Sequence, residues 1–440
     1  STDVGFDMVY GDTNCNEEAA ATAAQALVDS GVIGVAGAAC SDASKGANSI
    51  LSAAGIPMVS FASTSPSLSD ATSYPHFFRI VPSDAIQGQA LAAVVSNAGV
   101  MNPYVAHMQN SYGSGLADGF ENAFLLDDDN TLCGKQGYDE TAFSDASSII
   151  QAITDAGNCD GVVLASYSAD GAMIIEAMAY QSISLPTFAG DGMAGEAALV
   201  PFNNPAASNG LTTTSPRAGS STGDFPATCA ADTVCSGGIF TSEAYDAVMV
   251  IGAAAGHASG ADIATHLPMV GSGDGYAGAS GTHVFLANGD VAGSGYDVCG
   301  FHSVPTYGEY YNCEHIWTAV DGLAAAPDTR TVVKIGFLGD ATSPAIGDYW
   351  DEFQAAAMIG LGLANTIAYN QDIKFEIVWG DTACNEQTAA TSAQALVDSG
   401  VWGVVGAACS DASKGANSVL AANGIPMISY ASTSAALSDE

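Results

Sequence analysis

The chain has 440 residues, of which 48% are apolar and only 12% are charged. Its 8 lysines and arginines stand against 47 aspartates and glutamates, a formal net charge of −39. This excludes a nucleic-acid backbone or an anionic membrane surface as partner, because both require clustered cations. The length suffices for two or more domains, and no apolar run reaches the about 18 residues of a membrane-spanning helix.

Short apolar strands alternate with alanine-rich helices along the first part of the chain. Residues 6–10 (FDMVY) are predicted to form a strand, and residues 16–30 a helix with Asn16 as its N-cap and Gly31 just after its end. Further strands are predicted at 32–38, 57–62, 104–109 and 161–167, with a second helix after Cys40. This order predicts an α/β fold of parallel sheets flanked by helices, with ligands at the carboxyl ends of the strands.

The loop at 37–46 (GAACSDASKG) is the first candidate binding site, because it follows a strand and opens a helix, with Ser41 as the expected N-cap. Free amides and the positive helix end attract a carboxylate without needing Arg or Lys. The alternative is a capped helix that binds nothing. Residues 60–70 (SFASTSPSLSD) follow the next strand, so their hydroxyls are expected at the same edge of the sheet.

Motifs for enzymes, cofactors and metals are weak. Residues 190–195 (GDGMAG) match G-x-G-x-x-G, but no acidic residue ends a strand about 20 positions later, so a dinucleotide site is not favoured. The sequence contains no nucleophile elbow, P-loop or H-E-x-x-H. Residues 125–130 (LLDDDN) could hold calcium but lack the glycine and distal Glu of an EF-hand, so a solvated turn is favoured. We predict no enzyme, cofactor or metal site.

Ten cysteines occur, and they fall into neighbouring pairs along the sequence. Zinc is the competing interpretation, but no C-x-x-C is present and the histidines do not flank the pairs at ligand spacing. Five local disulfides are the favoured account, which predicts a location outside the cytosol, either extracellular, at the cell surface or periplasmic.

The two ends of the chain repeat each other: residues 11–70 recur at 380–439 with 47 of 60 positions identical. Residues 332–365 precede the second copy and have no counterpart before Ser1. The expected organisation is therefore a domain at 1–320 that lacks its first strand and helix, a linker at 321–331, and the start of a second copy at 332–440. The strand at 333–338 is expected to pair with 375–379 and not with 6–10.

Several segments resemble the type I periplasmic binding proteins, specifically the leucine/isoleucine/valine-binding kind. The resemblance rests on the ACSDAS loop with its Cys15 and Cys40, and on the segments 55–69 (GIPMVSFASTSPSLS), 77–92 (FFRIVPSDAIQGQALA), 107–120 (HMQNSYGSGLADGF) and 239–248 (IFTSEAYDAV). It implies two α/β lobes, the first at about 1–82 and 213–300 and the second at about 83–212 and 301–320. The lobes would be joined by crossings near 81–82, 212–214 and 299–301.

The resemblance also implies a ligand site. Ser41, Ala62 and Thr64 match the positions that hold the ligand α-carboxylate, and Asp191 matches the acidic partner of the α-ammonium. The aromatic positions of the pocket are matched by Tyr112, Tyr167 and Phe240, and the second copy offers Ser410, Ala431, Thr433 and, one place from the family's aromatic, Tyr349. The implied disulfides are Cys15–Cys40, Cys133–Cys159, Cys229–Cys235, Cys299–Cys313 and Cys384–Cys409.

Arg occurs only at positions 79, 217 and 330, so a second ligand carboxylate would lack a bidentate partner and a neutral side chain is expected. Two functions are therefore carried forward. The first is an extracytoplasmic solute-binding domain for a neutral amino acid or amide, of the kind that serves an ABC-type membrane transporter. The second is a structural repeat unit of an extracellular filament or surface array, contacting neighbouring repeats, with vestigial binding.

Overall fold

A computed structural model describes residues 5–217, 225–232, 234–235, 239–257, 263–270, 272–304, 308–328, 330–368 and 373–438. The chain divides into a first unit, Ser1–Ala326, and a second unit, Pro327–Glu440. Within the described residues, no helix is long and apolar enough to cross a membrane.

The first helix of the first unit begins and ends as its capping residues indicate. The Asn16 side chain accepts a hydrogen bond from the Ala19 amide (3.0 Å), and Gly31 follows the helix with a φ of 80°, as predicted. The helices are α1 (Glu17–Asp29), α2 (Ser41–Leu51), α3 (Asp84–Asn97), α4 (Ser111–Phe124), α5 (Ser147–Ala156), α6 (Ser168–Tyr180), α7 (Phe225–Ala230), α8 (Thr241–His257) and α9 (Ile263–Val270).

The strands of the first unit form two main sheets. Their bounds are β1 (Val35–Ala36), β2 (Met58–Ser60), β3 (Phe77–Arg79), β4 (Pro103–Met108), β5 (Gly134–Tyr138), β6 (Gly161–Ala165), β7 (Thr187–Ala189), β8 (Leu211–Pro216), β9 (Tyr276–Ala277), β10 (Thr282–His283), β11 (Tyr296–Val304), β12 (Gly308–Thr318) and β13 (Gly322–Ala325). The smaller sheet has the order β1-β2-β3 and is parallel throughout. The larger has the order β13-β12-β11-β8-β7-β6-β4-β5.

The larger sheet is parallel from β5 to β8 and antiparallel from β8 to β13. Its central strand β6 (GVVLA) is apolar and completely buried, as expected of a parallel strand that helices cover on both faces. Leu116 and Phe120 on α4 pack into the same core as Val163 and Leu164 of β6. This arrangement places the loops that follow β4, β6 and β7 at one edge of the sheet, where the carboxyl ends of the strands lie.

The second unit contains one four-stranded parallel sheet. Its elements are β14 (Thr331–Gly339), α10 (Trp350–Ile367), β15 (Ile373–Asp381), α11 (Glu386–Asp398), β16 (Gly403–Gly406), α12 (Ser410–Ala422) and β17 (Met427–Ile428), in the sheet order β15-β14-β16-β17. Val333 pairs with Phe375 and Phe337 with Trp379, which is the expected pairing of this segment.

Three expectations are corrected by the structure. Residues 6–10 form no strand, since no described strand lies beside them to complete their hydrogen bonds, whereas their counterparts in β15 are paired with β14. Part of the expected linker, Gly322–Ala325, is strand β13, because a turn at Gly322 folds it back onto β12. The N-cap of α2 is Cys40, which places Ser41 at the first helical position.

All five disulfides implied by the sequence are present, from Cys15–Cys40 to Cys384–Cys409, and no described cysteine is free. Local cross-links of this kind persist in oxidising compartments, which fits an extracellular or periplasmic location.

Candidate functional site

The start of α2 and the loop after β2 lie together in the first unit. Ser41 is buried, and its hydroxyl accepts a hydrogen bond from the Ser65 amide (3.1 Å), so its own proton is directed elsewhere. The hydroxyls of Ser60 and Ser63 donate to the Ala38 carbonyl at 2.6 and 3.0 Å. The two predicted hydroxyl-rich loops are therefore held against each other at the carboxyl ends of β1 and β2.

Thr64 is fully buried in this cluster, and its hydroxyl has no hydrogen-bond partner among the described residues. A buried hydroxyl without a partner is costly, and in native proteins it usually meets water or a ligand. Ala62, next to it, is half-buried. Thr64 and Ser41 thus supply hydroxyls at the positive end of a helix, where an anion is favoured.

Arg79 fixes the loop that follows β2 through hydrogen bonds to its main chain and to one of its side chains. Its guanidinium donates to the carbonyls of Ser63 (3.2 Å) and Ser65 (3.0 Å), to the Ser69 hydroxyl (2.8 Å) and to the Asp290 carboxylate (2.7 Å). The residue is completely buried. All these donors are used within the protein, so Arg79 positions the loop and leaves none of them for a ligand.

Asp191 lies in the loop after β7, buried beside two tyrosines. The Tyr112 hydroxyl donates to Asp191 Oδ1 (2.8 Å) and accepts from the Gly192 amide (2.9 Å). The Tyr167 ring stacks on Tyr112, with centroids 5.2 Å apart and planes inclined by 6°. The structure therefore brings together three of the residues expected at the site: Asp191, Tyr112 and Tyr167.

A second buried carboxylate, Asp84 at the start of α3, shares this environment. Burial, followed by the negative charge of Asp191, raises the pKa of Asp84 well above its ordinary value. The nearby Thr64 hydroxyl and the positive charge of Arg79 oppose part of this rise, although neither Asp84 oxygen forms a hydrogen bond of standard geometry with a described residue. Burial also raises the pKa of Asp191 to about 6 despite the bond from Tyr112. Because the two buried carboxylates interact, they titrate as a pair, and ionisation of both at once is disfavoured.

The G-x-G-x-x-G match around Asp191 has a packing role here. A Cβ on Gly192 would lie 2.6 Å from the Ser166 carbonyl oxygen and 2.9 Å from the Tyr112 hydroxyl. A Cβ on Gly190 would lie 2.3 Å from Leu116 Cδ2. Both glycines therefore permit the close approach of the Asp191 loop to α4, and this accounts for the motif without a nucleotide.

Hydrogen bonds join the start of α2 to the start of α4. The Ser111 amide donates to Asp42 Oδ2 (3.2 Å), the Ser111 hydroxyl bonds Asp42 Oδ1, and Lys45 Nζ donates to the Ser111 hydroxyl. Because α2 follows the smaller sheet and α4 belongs to the larger, this contact connects the two halves of the first unit beside the cluster. The negative charges of Asp191 and Asp42 both contribute to the raised pKa of the Tyr167 hydroxyl, after burial.

Other expected residues are less closely tied to this cluster. Phe240 is half-exposed with a φ of 60°, and neighbouring residues 236–238 lie outside the described part of the chain. In the second unit, the Ser410 hydroxyl accepts from the Ser434 amide (3.2 Å), as Ser41 does from Ser65. By contrast, Ala431, Thr433 and Tyr349 are exposed. The described part of the second unit contains no residue equivalent to Asp191.

Asp84, Arg79 and Gln87 were not singled out from the sequence, although all three lie in the quoted 77–92 segment. Gln87 donates to the Thr214 carbonyl (2.9 Å) and stabilises the ionised Asp191. A signal was available for Arg79, since it is a lone cation within an apolar strand (FFRIV). The partnership of Asp84 with Asp191 is not visible in the sequence because 107 positions separate them.

The family model described as "Receptor family ligand binding region" matches residues 1–303 and 363–440. Curated relatives include metabotropic glutamate receptor-like protein E of Dictyostelium discoideum, 37% identical over 92 residues (21% of this chain and 11% of the relative). Metabotropic glutamate receptor 6 of Oryctolagus cuniculus is 28% identical over 149 residues (33% and 17%). The chain spans less than a fifth of the length of these relatives.

Two solved structures are similar over most of their length. The leucine-binding protein LivK of Thermotoga maritima matches with a TM-score of 0.63 and 21% identity, covering 72% of this chain and 88% of that one. The branched-chain amino acid transporter substrate-binding protein LivJ of Streptococcus pneumoniae, solved with isoleucine, matches with a TM-score of 0.59 and 19% identity, covering 70% and 86%. These likenesses show the two-lobed α/β fold of the type I periplasmic binding proteins.

Proposed function

The chain belongs to the family of receptor ligand-binding regions, and we propose that its first unit binds a small zwitterion, a neutral amino acid or amide, outside the cytosol. The observation that carries this proposal is the buried cluster in which Asp191, held by Tyr112, and the Thr64 hydroxyl both act on the Asp84 carboxyl. Such a cluster combines a buried carboxylate with hydroxyls beside the start of α2, as a zwitterion requires.

The buried carboxylate of Asp191 is suited to one ammonium group. A desolvated ammonium between Asp191 and neutral acceptors would form charge-assisted hydrogen bonds, each contributing about 1.5–3 kcal/mol. Burial and the charge of Asp191 disfavour the ionised form of Asp84, and this opposes a second uncompensated charge. On the opposite side, the Ser41 and Thr64 hydroxyls and the positive end of α2 are suited to the carboxylate.

The cations of the first unit argue against an acidic ligand side chain. Arg79 is occupied by Asp290 and the loop carbonyls, and Arg217 pairs with Asp297 (3.4 Å). Lys45, beside the cluster, is bound to Ser111 and lies 3.9 Å from Asp42. A neutral side chain against the stacked rings of Tyr112 and Tyr167 is therefore the proposal. The apolar faces of these rings favour an aliphatic or aromatic group.

Isothermal titration calorimetry of the full chain tests this proposal. Leucine, isoleucine, phenylalanine and glutamine are titrated alongside glutamate, and we expect binding of at least one neutral amino acid and none of glutamate. Asp191→Asn should weaken that binding about 100-fold, whereas Asp128→Asn, at an exposed position in the 125–130 turn, should leave it unchanged. Equal affinities in the Asp191→Asn variant and the parent would refute the site.

Two finer roles are consistent with such binding. We propose delivery of the ligand to an ABC-type transporter, because the LivJ neighbour is named as the substrate-binding protein of a transporter. The internal repeat favours a second candidate, a repeat unit of an extracellular array, since residues 11–70 recur at 380–439 with 47 of 60 positions identical. The transport role and the array role predict different masses for the native assembly, since only the array requires many copies. Light scattering measures this mass.

A further inference from the structure

A groove of about 720 Å³ lies between the last turns of α3 and α4 in the first unit. The candidate ligand site lies at the opposite ends of the same two helices, where Asp84 and Tyr112 are buried. The groove is therefore a separate surface. On the two helices, its buried and half-buried lining side chains are all apolar: Ala92, Ala93, Ala123 and Phe124.

Both helices end at this groove, because they run side by side in the same direction. In their middle turns, a Cβ on Gly88 of α3 would lie 2.2 Å from the carbonyl carbon of Gly119 on α4. Nearer their ends, Ser96 and Phe124 both line the groove. The carboxyl end of a helix carries a partial negative charge, and neither helix has a basic residue in its last turn to offset it. The groove is therefore electronegative before any side-chain charge is counted.

Three aspartates in the turn after α4 add their charges at the same place. Asp127, Asp128 and Asp129 are exposed and line the groove, and no Lys or Arg is among its described lining residues. The turn is fixed by Asn130, whose Nδ2 donates to the Phe124 carbonyl (3.0 Å) and whose amide donates to the Asp127 carbonyl (3.1 Å). Carboxylates beside the carboxyl end of a helix lower its stability, so stability does not account for their presence here.

Leucine side chains beside these aspartates are exposed to solvent. Leu126 lines the groove and is 83% exposed, and Leu125 before it is 42% exposed. A bound metal ion would account for the carboxylates but not for the leucines. The three aspartates also do not converge: among the described residues, no set of three ligating atoms within 4.8 Å of one another includes them. A partner that is both cationic and apolar matches the whole surface.

This chain itself lacks a segment of that chemistry. It has only 8 Lys and Arg in 440 residues, and the two that are nearest in sequence, Arg330 and Lys334, are four positions apart. Both are engaged within the second unit, Arg330 with the Asp328 carboxylate (2.9 Å) and Lys334 with the Ser399 carbonyl (3.2 Å). A second copy of the chain therefore does not match the groove, and the complementary partner is a different protein.

We propose that the groove docks a basic amphipathic segment of a partner protein. The Lys or Arg side chains of that segment would pair with the three aspartates and with the carboxyl ends of α3 and α4, while its apolar side covers Leu126 and the alanines between the helices. Hydrophobic grooves bind amphipathic helices through a few apolar anchors, and complementary charge speeds association and disfavours wrong partners. The docking does not depend on the amino-acid site, because the two surfaces lie at opposite ends of α3 and α4.

Fluorescence anisotropy with a defined probe tests the docking. The probe is a fluorescein-labelled peptide of about 15 residues, or about four helical turns, with lysines on one side and leucines on the other. Titration with the full chain at about 0.15 M NaCl should give saturable binding. A peptide of equal charge with serine in place of leucine should bind at least tenfold more weakly, because it leaves Leu126 uncovered.

Two matched pairs of variants locate the binding. Conversion of the three turn aspartates to Asn should weaken it at least tenfold. The control converts three exposed aspartates elsewhere in the first unit, Asp29, Asp155 and Asp321, to Asn; it removes the same charge and should change the affinity less than twofold. Leu126→Ser should also weaken binding at least tenfold, whereas Val200→Ser, at a position 82% exposed elsewhere in the unit, should leave it unchanged.

Three results would overturn the groove as a docking site. Equal binding by the two aspartate variants would show only diffuse attraction to an acidic surface, and equal binding of the two peptides would show attraction by charge alone. Absence of saturable binding of the lysine–leucine peptide is the third. Calorimetry with CaCl2 covers the remaining case: a Kd below about 100 µM that is lost when the turn aspartates become Asn would assign the turn to a metal ion instead.

Discussion

At the scale of single residues, the candidate site contains two buried carboxylates, Asp84 and Asp191, that differ in their hydrogen-bond partners. Asp191 receives a hydrogen bond from Tyr112 and has a pKa of about 6, whereas Asp84 receives no hydrogen bond of standard geometry and has a pKa raised well above its ordinary range. The hydrogen bond from Tyr112 therefore favours ionisation at one position, whereas burial disfavours it at the other. Chemically identical side chains acquire different roles through their partners alone.

The first prediction concerns pH. An ammonium ligand requires ionised Asp191, so its affinity should be constant from about pH 7 to 8 and fall as protons compete below pH 6, approaching tenfold per pH unit. Calorimetry at constant ionic strength measures this. In the Asp191→Asn variant the same interval should show a weak, flat affinity. A parent affinity that does not change between pH 7 and 5 would contradict the assignment.

The second prediction concerns Arg79, whose loss leaves Asp290 without its cation. Arg79→Met should lower the free energy of unfolding of the first unit by about 3–5 kcal/mol, because a buried charge loses its partner. Urea unfolding followed by circular dichroism measures it. Arg217→Met, which removes a partly exposed pair with Asp297, should cost no more than about 1 kcal/mol. If both variants lost a similar free energy of unfolding, the contacts of Arg79 would contribute little to the stability of the first unit.

At the scale of elements, the loop after β7 is fitted to α4 by its glycines, and the third prediction follows from this. Gly192→Ala should abolish ligand binding, since its Cβ would lie within 3 Å of both the Ser166 carbonyl and the Tyr112 hydroxyl and would displace the Asp191 loop. Gly256→Ala on α8 is the control, because a Cβ there meets nothing within 4 Å. Calorimetry compares the two. Unchanged binding by Gly192→Ala would mean that the loop adapts.

Much of the architecture followed from local patterns. Helix α1 begins after Asn16 and ends before Gly31 because capping is a property of adjacent residues. The same reasoning failed for residues 6–10, whose alternating apolar pattern suits a strand but finds no described partner. Strand formation depends on a neighbour that a local pattern does not specify. The same limit hid Asp84, whose environment is created by residues distant in sequence.

At the scale of the whole molecule, charge opposes compaction. The net charge of −39 is distributed over a surface with few cations to offset it. The fourth prediction is that the melting temperature rises by several degrees between about 0.05 and 1 M NaCl. The reason is that the screening length between exposed carboxylates falls from about 14 Å to about 3 Å over this range, which weakens their repulsion. KCl should raise the melting temperature by the same amount as NaCl. Sucrose at matched osmolality carries no charge, so it separates charge screening from the exclusion of solutes from the protein surface. A flat melting temperature in salt would show that the charges are too dispersed to matter.

The bonds between Asp42 and Ser111 connect the two halves of the first unit beside the buried cluster. If the proposed ligand binds at Asp191 and Thr64, we expect its release to be accompanied by opening of this contact. The residence time would then depend on two helix ends that need not touch the bound molecule. Sequence changes at Ser111 can alter how long a ligand is retained while leaving the chemistry by which it is recognised intact.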